Sequence, residues 1–114
     1  DRQWARGKCF DTFAPVGPWI ETDVDPGTAR IRSWLNGEIM QDSNTRDLIF
    51  PCDELISYLS QCMTLYPGSI ILTGTPEGVG MGRVPQVYLQ PGDTISVEID
   101  GIGTLTNHVE NEAY

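Results

Sequence analysis

The sequence predicts a mainly β domain with one packed helix, that is, an α+β fold. Three observations support this prediction. The dipeptide Asn36-Gly37, which favours a tight hairpin turn, lies between two strand-like segments. Apolar Ile95, Val97 and Ile99 alternate with polar residues, as in a half-buried strand. Residues 53–65 form the one segment whose apolar residues recur at three- and four-residue intervals, as in an amphipathic helix.

The first 27 residues contain mostly loop and turn signals. Residues 1–7 are largely polar and are expected to be the tail of a loop. Apolar and aromatic residues follow, interrupted by prolines and glycine at positions 15, 17 and 18. This pattern predicts a strand, a turn and a second short strand at residues 19–22. Residues 23–27, Asp-Val-Asp-Pro-Gly, have the composition of a turn.

The hairpin is expected to comprise strands at residues 29–35 and 38–41. Ile31 and Trp34 or Leu35 are apolar, and the arginines at positions 30 and 32 flank Ile31. Asn36 and Gly37 both tolerate the positive φ that a type I′ turn requires. A second pair of strands is predicted near the C-terminus, at residues 95–99 and 102–109, with Asp100-Gly101 as the turn.

The helix at residues 53–65 has clear start and stop signals. Asp53 and Glu54 would lie in its first turn, where carboxylates interact favourably with the helix dipole. Tyr66-Pro67-Gly68 follows, and such a sequence cannot continue a helix. The expected apolar face consists of Leu55, Ile56, Leu59, Cys62 and Met63.

Residues 69–82, Ser-Ile-Ile-Leu-Thr-Gly-Thr-Pro-Glu-Gly-Val-Gly-Met-Gly, are the stretch around which the rest is organised. Ile70, Ile71 and Leu72 form a continuous apolar run, which predicts a short strand buried on both faces. Thr73-Gly74-Thr75-Pro76 then places two hydroxyls beside a glycine. A rigid strand that delivers hydroxyls into a glycine-lined loop suits a small anion-binding site. A simple surface loop is the alternative.

The charge balance restricts the classes of partner. Seven basic and sixteen acidic residues give a formal net charge of −9, which disfavours binding to nucleic acid or an anionic membrane. No apolar stretch reaches the length of a membrane span, and no signal-peptide pattern is present. Cys9, Cys52 and Cys62 do not form the pattern of a disulfide framework or a zinc site. A cytoplasmic location is the expectation.

Two motifs indicate a family. Residues 7–19, Gly-Lys-Cys-Phe-Asp-Thr-Phe-Ala-Pro-Val-Gly-Pro-Trp, are followed in order by the hairpin turn with Gln41, by Ile-Ser-Tyr-Leu-Ser at 56–60, and by Ile-Leu-Thr-Gly-Thr-Pro-Glu-Gly-Val-Gly at 71–80. Together these segments resemble the second half of the catalytic domain of the fumarylacetoacetate hydrolase family. The resemblance implies part of that family's mixed β-sandwich roll. On this basis residues 1–114 are expected to be the C-terminal portion of a single catalytic domain whose N-terminal portion is missing.

The resemblance implies three site residues. Lys8 matches the family's active-site lysine and is expected to be catalytic and to bind substrate, although composition alone favours an ordinary solvated lysine. A lysine near apolar walls can stabilise a developing enolate. Thr12 is expected near the same site, and Thr75 matches the threonine that contacts a carboxylate or keto oxygen. We therefore expect Lys8 and Thr75 to converge on one concave site.

The family's metal and acid–base groups have no match in this chain. Family members bind Mg²⁺ or Mn²⁺ through a Glu-x-Glu pair and an aspartate, and the alignment puts all these ligands upstream of Asp1. Glu110-Asn111-Glu112 fits only the spacing. The histidine–glutamate dyad is also expected upstream, so His108 is interpreted as a surface residue. Cys9 is interpreted as packing, and Glu77 as solvated or paired with Arg83.

For the complete protein, the resemblance implies a metal-dependent hydrolase of C–C bonds in small 2-oxo or 1,3-dioxo acids, of the acylpyruvate or fumarylpyruvate type. An isomerase or decarboxylase of substrates like 2-hydroxyhepta-2,4-diene-1,7-dioate is the alternative within the family. A non-catalytic fragment or pseudoenzyme is the alternative from another class. The expected partners are a small oxo-acid substrate and a second copy in a homodimer. The 114-residue chain alone is expected to be inactive.

Overall fold

The structure, a computed structural model, describes residues 3–112. Its centre is a four-stranded antiparallel sheet with strand order β2-β1-β3-β4. The strands are β1 at Arg30–Leu35, β2 at Glu38–Asn44, β3 at Thr94–Ile99 and β4 at Gly103–His108. Helices α1 and α2 span Trp4–Lys8 and Cys52–Cys62, and short 3-10 turns lie at Thr45–Asp47 and Gly80–Gly82. The predicted α+β class is confirmed.

The β1–β2 hairpin is confirmed, with Asn36 and Gly37 at its turn. Their φ angles are 52° and 85°, so both residues are in the left-handed region that a type I′ turn requires. Strand β2 runs to Asn44, three residues beyond the predicted end. An ion pair contributes to this extension: Arg30 donates from Nε and Nη2 to the Asp42 carboxylate at 2.8 and 2.6 Å. That hydrogen bond lowers the pKa of Asp42 from its ordinary value.

Strand β2 contains a β-bulge at Met40. Ser33 is opposite Gln41 and the next residue, Trp34, is opposite Ile39, which leaves Met40 without a partner in β1. A bulge interrupts the ladder and re-aims nearby backbone and side-chain groups. Here the interruption leaves the Met40 carbonyl oxygen available for a contact outside the sheet.

The two faces of the sheet differ in polarity. On one face of the sheet, Arg32 forms ion pairs with Glu98 and Asp100. The opposite face carries the apolar residues Ile31, Leu35, Ile95, Val97, Ile99 and Leu105. Among residues 3–112, only Ala29 and Ser33 are buried, with 8% and 6% exposure. The interior of this sheet is therefore small and lies under β1.

Helix α2 confirms the predicted helix with shifted ends. It begins at Cys52 and ends at Cys62, because Met63 adopts an extended conformation. Thus the helix stops before Tyr66-Pro67-Gly68. Leu55 lines a cleft together with Ile31 of β1. Of the predicted apolar face, Ile56 and Met63 are 50% and 56% exposed and Cys62 is also exposed, so that face is not covered by the described residues. None of its residues is fully buried.

Two predictions for the N-terminal region are wrong. Residues 4–8 form helix α1 rather than a loop, with a hydrogen bond from the Gly7 N–H to the Gln3 carbonyl. No strand forms at residues 10–16 or 19–22. Phe10, Phe13 and Trp19 remain 52–63% exposed. Prolines remove backbone donors from this segment, and no strand of the described sheet offers it a partner.

The predicted strand at Ile70–Leu72 is also wrong. These residues have no regular hydrogen-bond ladder, and Ile70 and Leu72 are each 64% exposed. A continuous apolar run indicates a preference for burial, but a strand also needs a neighbouring strand with which to pair. The described part of the chain provides none at this position. No helix within it is both long and apolar enough to cross a membrane.

Replacing Gly37 with alanine should destabilise the hairpin by about 1–2 kcal/mol. Gly37 has φ of 85°, and no atom lies within 4 Å of an added Cβ, so the cost would be backbone strain alone. Urea unfolding measures the change. Gly7→Ala is the matched control, because Gly7 has open space and no positive φ. An equal effect of the two substitutions would contradict the prediction.

Candidate functional site

A cleft of about 620 Å³ lies between the loop after Leu72, the 3-10 turn that follows β2, and helix α2. Thr73, Thr75 and Glu77 form the polar rim on one side, and Asp47 lies across from them on another segment. The wall is completed by apolar side chains, namely Ile31, Leu48, Ile49, Phe50 and Leu55. A mixed wall of this kind is typical of small-molecule sites. This cleft is named the threonine cleft below.

The side chain of Gln41 holds the threonine loop in place. Gln41 Nε2 lies 2.7 Å from Thr75 Oγ1 and 2.9 Å from the Pro76 carbonyl oxygen. On its other side, Gln41 Oε1 accepts a hydrogen bond of 2.9 Å from the buried hydroxyl of Ser33. Gln41 thereby connects the centre of the sheet to the rim of the cleft. In the sequence, Gln41 is part of the pattern that resembles the family, but it was assigned no role in the site.

The β-bulge is the second attachment point of this loop. Arg83 donates from Nη2 to the Met40 carbonyl oxygen at 2.5 Å and from Nε to the Gly78 carbonyl oxygen at 3.0 Å. Gly78 lies directly against β2, since an added Cβ would be 2.3 Å from the Met40 oxygen. Glu77 is exposed and forms no ion pair with Arg83. Of the two interpretations of Glu77, the structure supports the solvated one.

The glycines of residues 69–82 have different structural roles. Gly74 has φ of 103° and open space around it, so it permits a turn. Gly80 has an ordinary φ, but its added Cβ would be 1.9 Å from the Val87 carbonyl oxygen. Gly78 combines both constraints, with φ of 101° and the close contact to Met40. A side chain is therefore excluded by a neighbouring backbone segment at Gly78 and Gly80.

A second cleft, of about 820 Å³, lies where the segment after α1 meets the C-terminal end of β4. Its lining residues are Cys9, Phe10, Asp11, Thr12, Phe13, His108, Glu110, Asn111 and Glu112. Three of these residues are carboxylic acids, and carboxylates repel an anionic ligand. The threonine cleft is lined by two carboxylic acids, Asp47 and Glu77, and also by the hydroxyls of Thr73 and Thr75, which can donate to an organic acid. The threonine cleft is therefore taken as the candidate site.

The three predicted site residues do not line the same cleft. Lys8 is the exposed last residue of α1 and lines neither cleft. Thr12, with φ of 66°, lines the second cleft, whereas Thr75 lines the threonine cleft. The convergence of Lys8 and Thr75 on one site stays a prediction.

His108 and Cys9 can also be placed. His108 is exposed, as interpreted from the sequence, and its Nδ1 lies 3.0 Å from Thr94 Oγ1 across the β3–β4 pair. The interpretation of Cys9 as a packing residue is wrong, because Cys9 is exposed. No residue of helix α1 or of the turn after it is buried, so this region has no core in which the Cys9 side chain could pack.

Residues 3–112 do not by themselves supply the ligand set of the divalent metal implied by the resemblance. They contain no group of three or more His, Cys, Asp or Glu side chains positioned to hold a metal ion. A hard divalent cation requires several oxygen ligands. No catalytic step is therefore assigned to a metal on these residues, and the location of its ligands upstream of Asp1 stays a prediction.

Comparisons with known proteins agree on one family. The chain is 49% identical over 111 residues to a rat (Rattus norvegicus) protein, oxaloacetate tautomerase Fahd2a, mitochondrial, with 95% of this chain and 36% of the relative covered. Among solved structures, it is similar to the 2-hydroxyhepta-2,4-diene-1,7-dioate isomerase of Mycobacterium marinum. That match has 48% identity and a TM-score of 0.86, and it covers 95% of this chain and 40% of the isomerase.

A third relative has a metal in its structure. Maleylpyruvate hydrolase from Sphingobium sp. SYK-6, in complex with manganese(II) and pyruvate, matches at 43% identity and a TM-score of 0.79. The match covers 89% of this chain and 37% of that one. The chain spans well under half of the length of all three relatives. Residues 1–110 match the family model described as fumarylacetoacetate (FAA) hydrolase C-terminal. This chain therefore belongs to the fumarylacetoacetate hydrolase family.

Proposed function

We propose that this chain is part of an enzyme that stabilises the enolate of a small 2-oxo or 1,3-dioxo acid, and that it hydrolyses a C–C bond in acids of the acylpyruvate or fumarylpyruvate type. The observation that carries the proposal is the Thr75 hydroxyl, held by Gln41 at 2.7 Å on the rim of the threonine cleft. A fixed hydroxyl can donate to a keto or carboxylate oxygen. The pyruvate bound by the maleylpyruvate hydrolase has both groups.

The proposed reaction divides an acylpyruvate at the bond between its acyl carbon and its methylene carbon. Water adds its oxygen to the acyl carbon, and the pyruvate half leaves with the bonding electrons as an enolate. A proton then converts the enolate to pyruvate, and the acyl half leaves as a carboxylate. Donors aimed at the enolate oxygen lower the barrier, because negative charge develops there in the transition state.

Within this proposal, Lys8 supplies positive charge to the enolate, Thr75 donates to a substrate oxygen, and Thr12 lies near the same substrate. A cation is needed because the chain's net charge of −9 repels organic acids. Mg²⁺ or Mn²⁺ would be held by residues outside the described range and would supply Lewis-acid chemistry when bound. The manganese in maleylpyruvate hydrolase supports this cofactor class without distinguishing the two metals.

Isomerisation is the second candidate. It is favoured by the 49% identity to oxaloacetate tautomerase and the 48% identity to the dienedioate isomerase. Both reactions pass through an enol or enolate, so the same donors would serve them. Decarboxylation belongs to this candidate as well. The homodimer, the cytoplasmic location and the membership of residues 1–114 in a single larger domain remain predictions.

A product assay tests the proposal. We expect the full-length protein with Mn²⁺ to convert acetylpyruvate into equimolar acetate and pyruvate, and to lose this activity in EDTA. Loss of the enol absorbance without pyruvate release, in parallel assays of acetylpyruvate and oxaloacetate, would favour isomerisation. Absence of turnover with every oxo acid tested, in a protein that is folded and binds Mn²⁺, would contradict both candidates. It would support the pseudoenzyme alternative.

A further inference from the structure

The direction of the hydrogen bonds around Gln41 can be assigned from chemistry. The Pro76 carbonyl oxygen only accepts, so the side-chain atom of Gln41 at 2.9 Å from it must be the amide nitrogen. The same nitrogen lies 2.7 Å from Thr75 Oγ1. The amide oxygen then faces Ser33, whose hydroxyl donates to it at 2.9 Å. The chain of donors therefore runs from the buried Ser33 to the exposed Thr75.

This direction determines what Thr75 can offer to a ligand. One Gln41 N–H is directed to the Pro76 oxygen and the other to Thr75 Oγ1, so the threonine oxygen is an acceptor within the protein. A hydroxyl has a single proton to donate. Thr75 Oγ1 donates no hydrogen bond to another atom of residues 3–112, and the bond from Gln41 is the one it accepts there. It remains available to a ligand in the threonine cleft.

We propose that Gln41 is a positioning residue for the reaction of this enzyme, and that it holds the Thr75 hydroxyl so that its proton is donated to a keto, enolate or carboxylate oxygen. This inference rests on the proposed function. Gln41 acts through Thr75 and does not itself contact the substrate.

A double-mutant cycle on kcat/KM in the full-length protein tests this inference. Gln41→Met keeps the length of the side chain but removes its donors, and Thr75→Val keeps the shape but removes the hydroxyl. We expect each change alone to lower kcat/KM by about 10- to 100-fold, the range for a hydrogen bond to a charged group. In the Thr75→Val background, Gln41→Met should cost less than about 3-fold, since residues in one network are not additive.

Gln86→Met is the matched control. Gln86 also donates to a backbone carbonyl, that of Met81, and accepts from a hydroxyl, that of Tyr88, but it lies outside both clefts. We expect its kcat/KM within about 2-fold of wild type, because Gln86 is exposed and its hydrogen bonds lie outside both clefts. Equal losses from Gln41→Met in both Thr75 backgrounds would mean that Gln41 acts independently of the hydroxyl. That result would overturn the proposal.

An NMR measurement separates failure of this inference from failure of the proposed function. In ¹⁵N-labelled full-length protein, Thr75→Val should move one of the two Gln41 side-chain amide protons upfield, because it loses its acceptor. The other proton, bonded to the Pro76 oxygen, should keep its shift. If no oxo acid is turned over, this measurement still decides whether Gln41 donates to Thr75. Two unchanged proton shifts would overturn the assignment.

Discussion

Lys8→Ala is expected to lower kcat/KM of the full-length enzyme by about 100-fold or more, the usual effect of removing one donor to a developing oxyanion. Lys8 is the only lysine of the chain, and it is exposed at the end of α1. Removing an exposed side chain at a helix end should change the free energy of unfolding by less than about 0.5 kcal/mol. The substitution should therefore lower activity while leaving the free energy of unfolding almost unchanged. Steady-state kinetics and urea unfolding of the same preparation test this.

Arg46→Ala is the matched control for Lys8→Ala. It also removes one exposed positive charge, and Arg46 lines neither cleft. If the substitution at Lys8 acted only by making the protein more negative, both variants would lose the same factor. We expect Arg46→Ala to keep turnover within about 2-fold, because surface substitutions without special contacts have small effects. Near-normal turnover of Lys8→Ala would return Lys8 to the status of a solvated surface lysine.

Gly78→Ala is expected to have the largest effect on folding stability, about 3 kcal/mol or more. Two causes add at this position. Alanine would be strained at φ of 101°, and its Cβ would lie 2.3 Å from the Met40 carbonyl oxygen. That oxygen belongs to the backbone and also accepts from Arg83, so it cannot move aside cheaply. The loop that carries Thr75 would have to leave β2, and activity should fall together with stability.

Three other glycines of the same stretch provide a complete set of controls. Gly82→Ala has neither cause, with an ordinary φ and a contact of 3.6 Å to Val79. Gly74→Ala has only the strained φ, and Gly80→Ala has only the collision with Val87. We therefore expect the loss of stability on urea unfolding to be smallest at Gly82 and largest at Gly78. A loss at Gly78 no greater than at Gly74 would contradict the role of the Met40 contact.

Local signals predicted the features that depend on neighbouring residues. Asn36-Gly37 specified the hairpin, because both residues tolerate positive φ, and the three- and four-residue spacing specified α2. The strand predicted at Ile70–Leu72 failed for the opposite reason, since its pairing depends on residues elsewhere. Apolar content indicated that these side chains favour burial. It could not indicate which strand, if any, would lie beside them.

The candidate site was predictable only in part. Thr75 could be selected because it follows an apolar run and precedes a glycine-rich loop, and because it matches a family motif. Gln41 belongs to the same family pattern, but its contacts could not be predicted, since Gln41 is separated in sequence from Thr75 by 34 positions and from Pro76 by 35. The bulge that directs the Met40 carbonyl to Arg83 also has no local signal, because it appears only when β1 and β2 are aligned.

The bulge at Met40 makes the hairpin less regular, but it provides a backbone contact that holds the loop of the threonine cleft. Deleting this one residue would leave Ile39 and Gln41 adjacent and opposite Trp34 and Ser33, the pairing that they already have. The hairpin would become an uninterrupted ladder. The loop would lose the carbonyl that Arg83 binds and against which Gly78 lies. A redesign that optimised this sheet for stability alone would therefore remove one of the two attachment points of the loop that carries Thr75.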